Sequence, residues 1–198
     1  MTAEVALRYA GFWRRFGAFW IDFVVFVPLM GLSFWLGEMS RVASLSTYLP
    51  GLVIDLWFHV YLVKRYGGTP GKLLLRIRIT RLDGSHVGYR EAVLRHSVLF
   101  ILSTLQTIAL MIGTLNMSDA EYLSLAFQAR SDRLAEMAPV WFQSVTVLMN
   151  IWVWSEFLVM LTNRRRRAIH DFIAGTVVIH AAQPGTQPDL PQEARQAG

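Results

Sequence analysis

Four apolar stretches, each carrying at most one charge, dominate this chain of 198 residues. Phe16 to Gly37 holds only Asp22, Val42 to Val63 only Asp55, His96 to Ser118 no charge, and Met137 to Asn163 only Glu156. Each exceeds the roughly 20 residues that a helix rising ~1.5 Å per residue needs to cross a ~30 Å hydrocarbon layer. Spans are therefore predicted at about 16–37, 42–63, 96–118 and 139–162. Composition agrees: 17% of residues are charged, against about 25% in ordinary soluble domains. The first stretch is too long and too acidic for a cleaved signal peptide. The sequence has no cysteine, which excludes disulfide and thiolate chemistry.

Basic residues orient the spans. Arg8, Arg14 and Arg15 precede the first, eight Lys and Arg between Lys64 and Arg95 separate the second from the third, and Arg164, Arg165, Arg166 and Arg167 follow the fourth. The other side holds Arg41, Arg130 and Arg133, offset by Glu38, Asp119 and Asp132. Positive loops stay cytoplasmic, so both termini are expected inside. The net charge of +5 then reflects topology and contact with anionic headgroups rather than nucleic-acid binding.

Two segments outside the spans carry strand signatures. Leu73, Leu75, Ile77 and Ile79 fall on one face with Arg76 and Arg78 on the other, and Asp83-Gly84 supplies a turn. Thr176 to Ile179 is a second β-branched run. The expected fold is an all-α membrane protein of four transmembrane helices with a small cytoplasmic β-strand pair. It occupies residues 1–182, with a short amphipathic helix in the outer loop 117–136 and a disordered tail over 183–198.

Three sequence blocks occur in a fixed order: Arg14-Arg15-Phe16-Gly17-Ala18-Phe19-Trp20-Ile21-Asp22, Gly67-Gly68-Thr69-Pro70-Gly71-Lys72, and Arg166-Arg167-Ala168-Ile169-His170-Asp171. Together they resemble the RDD family of prokaryotic membrane proteins, over roughly Ala10 to Ile179. The resemblance implies an inner-membrane location. It maps the family arginine to Arg15, with Arg14 as rival, the first aspartate to Asp22, and the second to Asp171 or Asp55. Some members are linked to cation/proton exchange and others to assembly roles.

A carboxylate in mid-bilayer costs about 2.5–3.5 kcal/mol on translocon scales, so Asp22, Asp55 and Glu156 need a reason. Asp55 and His59 share a helix face at i, i+4. One reading makes Asp22, Asp55, His59 and Glu156 an ion- or proton-binding cluster. The other makes them polar clamps between helices, with Asp171 in an ion pair to Arg15 or Arg14 that ties the cap to the first span. A weak internal repeat, in which Asp55 and Glu156 each precede a basic cluster, would bring those acids together.

Other motifs carry less. Gly68 to Leu73 lacks the outer glycine and the hydroxyl of a phosphate loop; it reads as a tight turn, with Lys72 near a lipid phosphate. Arg164 to Arg167 reads as a lipid-headgroup anchor. No histidine spacing indicates a metal, no nucleophile–base pair is visible, and no enzyme activity or cofactor is expected. Three functions follow as expectations. The first is monovalent cation/proton exchange, requiring a homodimer or larger because four helices rarely enclose a pathway. The second is a membrane adaptor whose basic cap recruits a cytoplasmic protein, and the third is lipid binding or remodelling.

Overall fold

The computed structural model describes residues 8–181; the expected tail over 183–198 lies outside them. Helix α1 (Phe12–Met39) extends beyond the first apolar stretch at both ends, because isolated arginines do not stop a helix. Arg14 and Arg15 thus belong to its opening turns. At Ser40 the chain turns, and the serine hydroxyl accepts from Ala43 N at 3.0 Å, capping α2 (Arg41–Ser46).

The expected second span is consequently divided. Its first residues form the separate α2, and a new helical rod follows as α3 (Tyr48–Leu56), a π-helical turn (Trp57–Tyr61) and α4 (Leu62–Tyr66). Phe58 in the π turn stacks edge-on against Phe26 of α1 at 4.6 Å. Gly67 ends the rod with φ +78°, a left-handed conformation that glycine adopts without steric cost.

A correction concerns the first strand. Leu73 and Leu74 lie in α5 (Pro70–Leu74), and strand β1 covers only Ile77–Arg81. Pro70 at the first helical position is pre-set for a helical turn, and Arg76 at φ +53° reverses the chain before pairing begins. The third apolar helix, α6 (Tyr89–Asn116), starts seven residues before the expected 96. Arg90, Glu91 and Arg95 are helical, with Glu91 accepting from Gly88 N at 2.7 Å at the helix start. Beyond it come α7 (Asp119–Ser124), α8 (Phe127–Met137), α9 (Phe142–Thr162), α10 (Ile169–Ala174) and β2 (Thr176–His180).

Three helices, α1, α6 and α9, are long and apolar enough to cross a membrane, and only 6%, 17% and 11% of their most apolar windows are buried within the protein. Their side chains therefore face an apolar surrounding rather than a protein core. The packed core sits at one end, where β1 and β2 pair antiparallel with Ile79 opposite Val178. Ala10 extends the sheet by donating to Val178 O at 2.9 Å. Ile77, Ile79 and Val178 bury against Ala18, Val63 and Ala92. At the opposite end α2, α7 and α8 form a second cap. There Arg130 pairs with Glu38 at the end of α1, and Arg41 pairs with Asp119 at 2.7 Å. The amphipathic helix expected in 117–136 is present as two, α7 and α8.

Candidate functional site

Asp171, fully buried on α10, organises the sheet end. One carboxylate oxygen accepts from Arg15 Nη1 at 2.7 Å and from Ala168 N at 3.0 Å. The other accepts from Arg95 and from the Thr176 hydroxyl. Burial alone would raise this carboxyl, but the charges of Arg95, His170 and Arg15 outweigh it and hold the group well below the usual carboxylate range. Arg14, the rival for the family position, faces outward and donates to Leu75 O at 3.1 Å. Arg95 reads in sequence as an orientation charge of a loop; its place inside α6 makes it a partner of Asp171.

Asp22 joins α1 to α5. Its Oδ2 accepts from the Thr69 hydroxyl at 2.6 Å and its Oδ1 from Gly71 N at 2.7 Å. A Cβ at Gly71 would collide with the Ala18 carbonyl and fall 2.9 Å from Asp22 Oδ1, so only glycine permits this approach. With both oxygens engaged, Asp22 is a clamp between elements and stands apart from the other two membrane acids. Lys72 is half-buried, donates to Thr69 Oγ1 at 3.2 Å and borders a cavity. Burial, reinforced by Arg95, pushes its ammonium down to about 8.

Asp55 has partners of a different kind. Its Oδ1 lies 2.9 Å from His59 Nδ1 and its Oδ2 2.7 Å from His96 Nε2. The two imidazoles stack with centroids 4.4 Å apart and planes 9° from parallel. Among the described residues, the ion-pair partners of Asp55 are thus two imidazoles and no Lys or Arg. His59 sits in the π turn, a local widening that often marks functional positions in helices. The three side chains bring a carboxylate oxygen and two imidazole nitrogens within 4.8 Å of one another, a donor set able to hold a cation. Sequence spacing shows no such set, because His96 lies on another helix, 41 residues from Asp55.

Glu156 on α9 is held by α10. Its Oε1 accepts from His170 N at 3.0 Å and its Oε2 lies 2.5 Å from His170 Nδ1. Burial first, and then Arg95, lowers the pKa of His170. Glu156, His59, His96, Lys72, Arg15 and Arg95 all border one cavity of about 240 Å³ between α1, α6 and α9. Asp55 and Glu156 therefore approach the same space, the first through its histidines.

The basic run after α9 divides. Arg164, Arg165 and Arg166 are exposed, as a headgroup anchor requires. Arg167 is not: it is buried and donates to Thr176 O at 3.0 Å and to Asp171 O at 2.7 Å. Its expected lipid contact is replaced by a structural one, because the turn at Arg166, with φ +51°, directs it inward.

Apolar helices with little internal burial, joined at one end by a buried Arg–Asp–Arg cluster, define a small helical membrane protein. The chain matches the model of the RDD family over residues 9–175 and belongs to that family. No curated protein and no solved structure matches it.

Proposed function

We propose that the chain is a four-span inner-membrane protein with both termini cytoplasmic, exchanging a monovalent cation for protons at Asp55. The rod from Tyr48 to Tyr66 supplies the fourth crossing. Together with the positive-inside rule, the exposed arginines at the sheet end favour that end as cytoplasmic. The observation that carries the exchange reading is the contrast between two acids. Asp171 is paired with two buried arginines, Arg15 and Arg95, whereas Asp55 is faced by imidazoles only. A carboxylate without a fixed cation, whose two histidines border a cavity, is suited to a visiting one. A homodimer or larger assembly would complete the pathway.

The test is flux in proteoliposomes containing a pH-sensitive dye. Addition of sodium or potassium should drive proton movement with the parent and leave Asp55→Asn at background. Equal rates for the two proteins would eliminate Asp55 as the exchanging group.

A second reading, a non-transporting adaptor, is favoured by three exposed arginines close in sequence to the buried Asp171 cluster. It assigns recruitment of a cytoplasmic protein to Arg164, Arg165 and Arg166. Under it, reversal of those charges abolishes co-purification of the partner, while Asp55→Asn changes nothing.

A further inference from the structure

The cavity has two unlike ends. Its polar end is bordered by Arg15, Lys72, Arg95 and His170; its apolar walls are Phe16 and Phe19 of α1 and Trp152, Val153 and Phe157 of α9. Near the sheet, α1 and α9 meet through Phe12 and Phe157, with ring centroids 6.0 Å apart. Farther along, Phe19 and Val153 line the cavity yet are 53% and 38% exposed. Both belong to the helices that face the membrane. The space is thus open sideways, toward lipid.

Arg15 supplies the second observation. Its side chain is 9% exposed, and Nη1 is engaged by Asp171. Its Nε and Nη2 are buried with no hydrogen-bond partner. These two N–H groups lie along one edge of the guanidinium plane, the fork that a carboxylate or phosphate accepts with two oxygens. A buried donor without an acceptor costs about 1–3 kcal/mol, and more when charged. The nearby acids make no hydrogen bond to the fork. Asp171 Oδ2 accepts from Arg15 Nη1 and Ala168 N, and Oδ1 from Arg95 and Thr176. Glu156 Oε1 accepts from His170 N, while Glu156 Oε2, 2.5 Å from His170 Nδ1, has no hydrogen-bond partner of its own.

We infer that this cavity binds an anionic amphiphile. A carboxylate or phosphate headgroup sits on the Nε–Nη2 edge of Arg15, with the Lys72 ammonium at the same end, and a hydrocarbon tail runs between α1 and α9 toward the bilayer. The inference does not depend on cation exchange, since an adaptor could hold such a molecule equally well. The headgroup chemistry is shared by a fatty acid and by an anionic lipid, so the source is a matter for the probes.

The tag-free protein in uncharged detergent is titrated with a fluorescent fatty acid, and bound probe is competed with lysophosphatidate, monoacylglycerol of the same chain length, or inorganic phosphate. One site per chain is expected, with monoacylglycerol at least tenfold weaker than the fatty acid. Stronger competition by lysophosphatidate would assign the site to a phosphate lipid, and weaker competition to a carboxylate. Val153→Trp, which narrows the tail path without touching the ion cluster, should weaken binding at least tenfold at unchanged melting temperature. Arg15→Lys, which keeps a charge for Asp171 but removes the fork, should likewise weaken binding at least tenfold. If monoacylglycerol competes as well as the fatty acid, or if both variants bind like the parent, the inference fails and water satisfies the arginine. Competition by inorganic phosphate alone at equal strength would replace the amphiphile by a small anion. Should Arg15→Lys not fold, Val153→Trp and the headgroup series decide the matter.

Discussion

Arg15 and Asp171 stand 156 positions apart in sequence and meet at 2.7 Å, joining the first membrane helix to the last helix before β2. The carboxylate is wholly buried and the guanidinium nearly so. Two arginines, a threonine hydroxyl and a backbone amide converge on one acid. The start of α1, the start of α6 and the approach to β2 are therefore fixed relative to one another by a single side chain.

Loss of that acid should be severe. Asp171→Asn leaves Arg15 and Arg95 buried without their counter-charge, and breaking a buried pair costs about 3–5 kcal/mol. The thermal midpoint in detergent should fall by many degrees, more than for the exposed-pair variant Glu136→Gln. Because the folded pKa of Asp171 is depressed, its stabilising effect is complete above the ordinary carboxylate pKa of about 3.9 and is lost only as pH falls through the lower folded value. Parent stability should therefore show no contribution from this group between pH 5 and 8, and a loss in strong acid that Asp171→Asn lacks. A parent that weakens between pH 7 and 5 through this residue would contradict the cluster.

Gly71→Ala should break the junction of α1 with α5. The added methyl would strike the Ala18 carbonyl and crowd Asp22, forcing apart the segment whose amide and hydroxyl Asp22 receives. Backbone contacts cannot yield as flexible side chains do, so the cost should reach about 1–3 kcal/mol or more. Asp22→Asn keeps an acceptor for Gly71 N and should be milder. Melting temperatures of the two variants, compared in one detergent, test that order.

How far the sequence discloses this arrangement depends on the range of the interaction. Apolar length and charge placement mark α1, α6 and α9, since a bilayer imposes its thickness on any helix inside it. Asp55 and His59 are visible as an i, i+4 pair because helical periodicity is local. His96 is not visible as their partner, because nothing local distinguishes a histidine opening an apolar run. Arg95 misleads for a related reason: a charge preceding an apolar stretch resembles a loop residue, although helix α6 simply continues through it. The β alternation begun at Leu73 fails where Pro70 starts a helical turn, a case of local chain stiffness overriding a side-chain pattern. Arg15 and Asp171 are singled out by the family resemblance, and the spatial pairing selects Arg15 over Arg14.

Lys72 should titrate apart from the other lysine. The sequence contains two, Lys64 and Lys72, so reductive ¹³C-methylation gives two lysine resonances beside that of the α-amino group, which titrates at about 8 and is told apart by its persistence in Lys72→Arg. Burial holds Lys72 near 8, against the ordinary 10.5. Since its folded pKa is depressed, the associated stability is fully present above about 10.5 and is lost as pH falls through about 8. A resonance moving near pH 8, absent in Lys72→Arg, is the expected result. Two lysines titrating together near their ordinary value would mean that water reaches Lys72 freely.

The absence of cysteine permits a direct test of the proposed topology. Leu82 in the turn after β1 and Ala135 on α8 are both exposed, and they lie at opposite ends of the helices. Single cysteines placed at these positions, Leu82→Cys and Ala135→Cys, should respond oppositely to a membrane-impermeant maleimide applied to intact cells. Ala135→Cys should be labelled from outside, and Leu82→Cys only after the membrane is opened. The physical basis is the unequal number of basic residues: eight Lys and Arg lie between Lys64 and Arg95 at the Leu82 end, whereas the other end holds Arg41, Arg130 and Arg133. Orientation follows the number of basic residues near the span ends, which is larger at the Leu82 end. Labelling of Leu82→Cys in intact cells would invert the orientation. Labelling of both positions would mean that α6, the helix between them, does not separate the two sides of the membrane.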